Sequence, residues 1–243
     1  MTDPMTPISG DETFQFCCSP DVPCFNACCR DLNQFLYPYD ILRLKEHLGV
    51  SSSQFLKNYT AIHVGPESGL PVVSLKVDYA EDLKCPFVSP EGCRVYPDRP
   101  VACRMYPLAR ALSRSRETGE LTEHYALLKE PHCRGFEQNG SQTVAEWITG
   151  QDLAVYNRLN DRMLEIISLK NQRHPEPLDV KSQYLFRLAL YDLDEFRVHV
   201  FEKGILADMT PDADQLEAAR TDDVALLELG MAFVKWELFG VGK

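Results

Sequence analysis

Nine cysteines constrain this chain more than any other feature. They are Cys17, Cys18, Cys24, Cys28, Cys29, Cys85, Cys93, Cys103 and Cys133, so every thiol falls in the first 133 of 243 residues. The opening Met-Thr-Asp-Pro-Met-Thr-Pro shows neither a basic n-region nor an apolar h-region, so no export signal is expected. An odd number of thiols in such a chain argues against a disulfide framework and for a reducing, cytoplasmic compartment. Thiols this dense are then expected as metal ligands, and soft thiolates suit zinc, iron–sulfur clusters or Cu(I).

The spacing refines this. Cys18-x5-Cys24-x3-Cys28-Cys29 comes first, and Cys85-x7-Cys93-x9-Cys103 follows with Cys133 trailing. Short spacings gather the first ligands at small cost in chain entropy, and distant ones close a site. Neither grouping has the paired C-x2-C of a zinc ribbon. Consecutive side chains diverge on a regular backbone. Cys28 and Cys29 therefore suit two neighbouring sites, or two irons of one cluster, better than one mononuclear ion.

Composition excludes several classes. An apolar fraction of 44% with 10% aromatics supports a sizeable core and argues against a disordered or fibrous chain. The longest strongly apolar stretch, Leu226 to Val234, carries Glu228 and falls far short of the roughly 20 residues that span a bilayer. No membrane association is expected. Twenty-five basic against 36 acidic side chains leave a net charge of −11, which disfavours a nucleic-acid partner.

Helix and turn signals predict mostly α structure with a small antiparallel β element. A helix is expected over Pro38–Leu48 with Gly49 as its stop, and a second from the Ser51/Gln54 capping box through Tyr59. Pro71 to Val77 is β-prone, and Leu108–Arg116 with Leu121–Leu128 reads as a hairpin. Beyond residue 135 the chain reads as helices. A short one runs from Thr143 to Trp147, and a longer one from Gln151 to Lys170. Leu185 to Tyr191 continues the pattern. Further helices start at Asp192 (with Glu195 three on), at Thr210-Pro211, and at Thr221-Asp222-Asp223, the last running to Phe239. The expected division is a flexible N-terminus over 1–13, a metal-organised cysteine-rich domain over 14–138, and a C-terminal helical bundle or arm over 139–243.

Two motifs carry a family resemblance. One is Phe14-x-Phe16-x-Cys18-x-Pro20, then Pro23-Cys24-Phe25-Asn26-x-Cys28-Cys29 and Pro38-Tyr39-Asp40-Ile41. The other is Cys85-Pro86-Phe87, Gly92-Cys93-x-Val95-Tyr96, Arg99-Pro100-x-x-Cys103-Arg104-x-Tyr106-Pro107 and Cys133-x-Gly135. Over residues 14–136 the chain resembles the YkgJ-type cysteine-cluster proteins, whose CxxCxxCC domain is described as zinc- or iron-chelating. The opening here is looser than the family's usual one. Cys17 has no place in the pattern and is read as a non-ligand. The resemblance implies metal binding by Cys18, Cys24, Cys28, Cys29, Cys85, Cys93, Cys103 and Cys133. A distant branch, similar in its cysteines, includes flagellin lysine N-methylases, which resemble iron–sulfur enzymes using S-adenosylmethionine.

Arg99 and Arg104 flank Cys103 and are expected to offset the negative charge of a thiolate cluster by charge and hydrogen bonds to sulfur. Tyr96 and Tyr106 are expected to cover the site. His132 beside Cys133 is an alternative ligand, although eight cysteines already fill two four-ligand sites. Glu195 and His199 have a metal-compatible spacing but read as a solvated helix face. Phe233, Trp236 and Phe239 read as core or a docking face. The leading expectation is an iron–sulfur protein, with a 4Fe–4S cluster, serving electron transfer or a methyl-transfer-type reaction beside a protein redox or docking partner. Alternatives are a zinc-stabilised interaction module and a metal-trafficking chaperone. Structural thiolate sites supply roughly 10–16 kcal/mol of folding free energy in small zinc domains, so the metal-free cysteine domain is expected to fold poorly.

Overall fold

The computed structural model describes residues 5–30, 33–115 and 117–243. In chain order, β1 (Met5–Ile8) and β2 (Thr13–Gln15) lead into a 3-10 turn at Ala27–Cys29. Then come β3 (Phe35–Leu36), α1 (Pro38–Leu48), α2 (Ser52–Tyr59), β4 (Thr60–Val64) and β5 (Pro71–Leu75). A hairpin of β6 (Val88–Ser89) and β7 (Gly92–Cys93) precedes α3 (Val101–Met105), β8 (Leu108–Arg114) and β9 (Leu121–Leu128). β10 (Ser141–Thr143) opens the helical remainder: α4 (Val144–Gly150), α5 (Leu153–Arg173), α6 (Val180–Leu190), α7 (Leu193–Phe201), α8 (Ala213–Ala218) and α9 (Asp223–Phe239). Helix outweighs strand, about 44% to 18%. The β element is four small antiparallel sheets among the described residues, and they include the expected hairpin and, as β5, the β-prone stretch from Pro71.

The chain forms two compact units, and neither is a continuous stretch. One comprises Met1–Leu32 with Val77–Val155; the other comprises Asn33–Lys76 with Tyr156–Lys243. This differs from the linear division after residue 138. Cysteine positions count ligands, whereas units follow packing. Residues 33–76 carry no thiol and pair among themselves as the sheet β3-β5-β4. The expected flexible stretch 1–13 also differs: Met5–Ile8 pairs along β9 from Leu128 to Tyr125, and the residues before Met5 lie outside the described ones.

In the first unit, β1-β9-β8 makes the largest sheet and β2 pairs with β10. The hairpin falls where expected, ending at Arg114; Arg116 lies outside the described residues. In the second unit, the predicted helix caps mostly hold. Ser51 accepts from the Gln54 N–H. The last helix starts where expected, but its cap is Asp222, which accepts from Val224 and Ala225, and not Thr221. Three further details differ. Asp212, not Thr210, caps α8 through the Gln215 N–H at 2.9 Å. α6 starts five residues early because Asp179 caps it through Ser182. Asp192 makes no side-chain cap to α7; its carboxylate accepts from the Ser52 and Ser53 hydroxyls instead.

That last exchange belongs to a polar network inside the second unit. Buried Lys45 on α1 reaches Asp194 at 3.0 Å and Asp223 at 2.6 Å, and Arg197 pairs with Asp223. Asp194 also accepts the Ser52 N–H at 2.6 Å. The network ties α1, α2, α7 and α9 where Phe55, Phe196, Leu226 and Phe233 form a core. Burial pushes the Asp223 carboxyl up, but hydrogen bonds from Lys45 and Arg197 together outweigh it and hold it below the usual carboxylate range. Asp194 is held low in the same way by Ser52 and Lys45.

A depressed folded-state carboxyl stabilises the fold above its unfolded pKa, and that contribution is lost as pH falls through the folded value. Lys45→Met should therefore cost about 3 kcal/mol in urea denaturation at neutral pH, since it leaves two half-buried carboxylates short of a partner. The loss should shrink as both proteins are acidified below about pH 4, where wild type forfeits the same pairing.

Candidate metal centre

All nine cysteines lie in the first unit, and local backbone geometry explains how they gather. Phe16 anchors the first of them. Its N–H donates to Gly140 and the next one, of Cys17, donates to Gly135 at 3.1 Å, which fixes Cys17 and Cys18 just past β2. Cys24 sits in a turn, and its sulfur accepts the Arg134 main-chain N–H at 3.1 Å. Cys28 and Cys29 occupy the 3-10 turn, entered through Asn26 at φ 67°. Asn26 is held there by donating its side-chain amide to Ser89 at 3.0 Å.

The second group is tied to the first through the backbone. The Cys85 N–H donates to Cys29 at 2.9 Å. Cys93 closes the β6–β7 hairpin opposite Val88. The preceding Gly92 has φ +125°, and a Cβ there would stand 3.1 Å from the Phe25 ring, so a side chain would be strained twice over. Cys103 lies within α3, and Cys133 on a turn whose N–H donates to Glu130 at 3.0 Å.

The thiols are electrostatic neighbours of one another. Cys18 feels Cys28, Cys24, Cys133 and Cys17. Cys29 is hydrogen-bonded with Cys28 and feels Cys85 and Cys103, while Cys93 feels Cys28. Burial, then these neighbours, pushes the Cys18 thiol up to about 11. Burial also raises Cys85 and Cys93, against N–H groups of Phe87 and Val88 and of Val95 aimed at their sulfurs. Cys28 goes the other way, down to about 7, because the Cys29 thiol donates to it and rises in turn.

Among the described residues no three Cys, His, Asp or Glu side chains close around a point that could hold a metal ion. The thiols are gathered without having converged. Their chemistry still fits a soft metal: eight sulfurs from separate loops share one neighbourhood, and main-chain N–H groups point at three of them. The nine cysteines are the soft donors available there.

The remaining predicted residues are placed as follows. Arg99 is buried and neighbours Cys103 and Cys93, with its guanidinium 3.9 Å from the centre of the Tyr96 ring. Arg104 is buried too, but it donates to the main-chain carbonyls of Arg99, Gln151 and Pro97, so it braces the loop that carries Arg99. Tyr96 is largely exposed, and the Tyr106 hydroxyl lies buried beside Cys133. His132 faces Glu130 at 3.7 Å. Glu195 and His199 lie in the other unit, where Lys203 salt-bridges Glu195 at 2.8 Å, as a solvated face would. The sequence reading missed Arg94 and the Arg134 N–H. Arg94 lowers Cys85 and Cys93 by its charge, and its position directly after Cys93 was the available signal.

No curated protein and no solved structure matches the chain. A family model does match, over residues 17–134, and its description is "CxxCxxCC: putative zinc- or iron-chelating domain". The match takes in every cysteine and also runs through residues 33–76 of the second unit. Over residues 17–134, just under half of its length, this chain is thus similar to the CxxCxxCC family.

Proposed function

We propose that this domain holds iron–sulfur through two four-thiol groups that meet at the Cys28–Cys29 pair. Cys18, Cys24, Cys28 and Cys133 would form one group; Cys29, Cys85, Cys93 and Cys103 would form the other. The carrying observation is the division of electrostatic neighbours. Cys18 associates with Cys28, Cys24, Cys133 and Cys17, whereas Cys29 associates with Cys28, Cys85 and Cys103. Cys93 neighbours both Cys85 and Cys28, so the two groups touch through Cys28. Adjacent side chains that diverge suit this division. Cys17 completes neither group.

A donor set made of sulfur alone suits iron–sulfur, and a 4Fe–4S cluster takes four thiolates. Bound there, such a cluster supplies one-electron chemistry. The chain's own part is to orient the thiols with the Phe87, Val88, Val95 and Arg134 N–H groups and to offset charge with Arg94 and Arg99. The role follows as electron transfer or support of a methyl-transfer-type reaction, in a reducing, cytoplasmic compartment. Exposed Cys18, Cys28 and Cys103 would present the centre to a protein redox partner. The four-and-four division also suits two tetrahedral zinc ions in a structural role, and this is the second reading.

Metal analysis separates them. Anaerobically purified protein should contain iron and acid-labile sulfide and show broad visible absorption that dithionite bleaches. Colourless protein with two equivalents of zinc from iron-replete cells would establish the structural reading instead.

Ligands should separate from bystanders by linkage, because metal bound only to the folded arrangement adds its binding free energy to stability. Cys17→Ser should keep metal content and melting temperature. Cys29→Ser and Cys103→Ser should lose both together. Equal loss in the Cys17 and Cys29 variants would shift the register of the first motif.

A further inference from the structure

We infer that the buried hydroxyl of Tyr106 is the hydrogen-bond donor for the Cys133 sulfur in the metal-loaded protein, where it strengthens and tunes the metal–thiolate bond. The inference rests on Cys133 being a ligand, as proposed above. The Tyr106 hydroxyl oxygen is buried and makes no closed hydrogen bond in the folded chain. A buried hydroxyl left without a partner destabilises a fold, so its presence calls for an acceptor.

Two tethers bring this side chain to the Cys133 turn. The first is backbone. Tyr106 ends α3, the helix that carries Cys103, and its N–H donates to Ala102 at 3.1 Å. The next residue, Pro107, accepts the Leu128 N–H at 2.8 Å, which binds this corner to the end of β9. From Leu128 the chain reaches Cys133 in five residues, and the Cys133 N–H closes its turn on Glu130 at 3.0 Å. The second tether is aromatic. The Tyr106 ring meets Phe16 edge-on, and the Phe16 ring lies against Gly135, two residues past Cys133.

The neighbours of the hydroxyl narrow the acceptor to one. Burial raises the phenol first, then the Cys133 sulfur does, with Glu130 and Cys28 after it. Glu130 is partly exposed and faces His132 at 3.7 Å. Cys28 already accepts from the Cys29 thiol. The Cys133 sulfur is left, and it stands beside the hydroxyl as the thiols stand beside one another, gathered without having converged. A metal that takes the Cys133 proton turns that sulfur into a stronger acceptor. The O–H···S bond then forms with no further desolvation of the hydroxyl, which is buried already. Hydrogen bonds to ligand sulfur stabilise bound metal and set the reduction potential of an iron–sulfur centre. Since Tyr106 follows Cys103 by three residues, this donor also links the two four-thiol groups.

The test is zinc binding by the full-length protein under reductant, against a chromogenic chelator. Thiolates bind zinc whichever metal is resident, so the outcome is independent of the iron–sulfur reading. Tyr106→Phe keeps the ring and removes the hydroxyl. It should weaken one zinc equivalent about tenfold, the same one that Cys133→Ser loses, and leave the other unchanged. With cobalt(II) in place of zinc, Tyr106→Phe should move the sulfur-to-metal charge-transfer band to longer wavelength, which a merely structural hydroxyl would not do. Without metal the variant should match wild type in circular dichroism, because the hydroxyl has no bond to lose there. Wild-type zinc affinity, an unmoved cobalt band, or a metal-free variant less folded than wild type each overturns the inference. A Cys133→Ser protein that keeps both zinc equivalents removes Cys133 from the ligands, and then the four-and-four division falls and the inference with it.

Discussion

The first unit depends on the contact between Phe16 and Gly135. The Phe16 ring lies so close to Gly135 that a Cβ there would stand 2.4 Å from it, so residue 135 is confined to glycine while Phe16 keeps its place. The same ring meets Tyr106, Phe136 and Trp147 edge-on, with centroids 5.8, 5.2 and 5.6 Å away. Edge-to-face pairs of this kind contribute about 0.5–1.5 kcal/mol each beyond their buried area. Each partner is covalently close to a thiol. Phe16 precedes Cys17 and Cys18, Tyr106 follows Cys103 by three residues, and Gly135 follows Cys133 by two. One aromatic joint therefore sets the approach of three loops. It is apolar, so it gathers thiols without needing them charged.

Around that joint the unit closes on itself from two separated chain segments. β2 pairs with β10, β1 pairs with β9, and the Cys85 N–H binds the Cys29 carbonyl. The chain leaves this unit after Leu32 and returns at Val77. A cut after Gln138 would take away β10 and Trp147, whose indole N–H donates to Met105 at 3.1 Å. The ladder behind Cys17 and one wall of the aromatic joint would go with them. The last part of the cysteine unit is thus built from residues with no thiol. Counting cysteines along the sequence therefore placed the boundary too early.

What was legible in the sequence is what local chemistry decides. Ser51 with Gln54 names its helix start because a cap is settled within four residues. The β8–β9 hairpin was readable for the same reason. Asp192 shows the limit. It has the capping spacing, but Ser52 and Ser53, some 140 residues away, take its carboxylate. β1 was invisible because its partner, β9, lies more than 110 residues on. At the candidate centre, residue types and order revealed the thiols and Arg99. The aim of the Arg134 N–H at Cys24, and the diversion of Arg104 to main-chain carbonyls, depend on long-range folding that no spacing encodes.

The electrostatics show how far the folded chain goes alone. Burial and crowding among the sulfurs raise Cys18, Cys85 and Cys93, while N–H donors at the latter two, and the nearby charges of Arg94 and Arg99, pull the other way. The donors and arginines do not win: all three thiols remain above their ordinary value. Cys28 is lowered, and it is lowered at the expense of Cys29. Ionising thiols that are held above their ordinary value calls for a positive charge denser than a guanidinium. A bound metal supplies that charge, and each thiol that joins it must give up its proton. Convergence of the sulfurs, loss of their protons and binding of metal are then one coupled step, for which the aromatic joint and the turns have already supplied the approach.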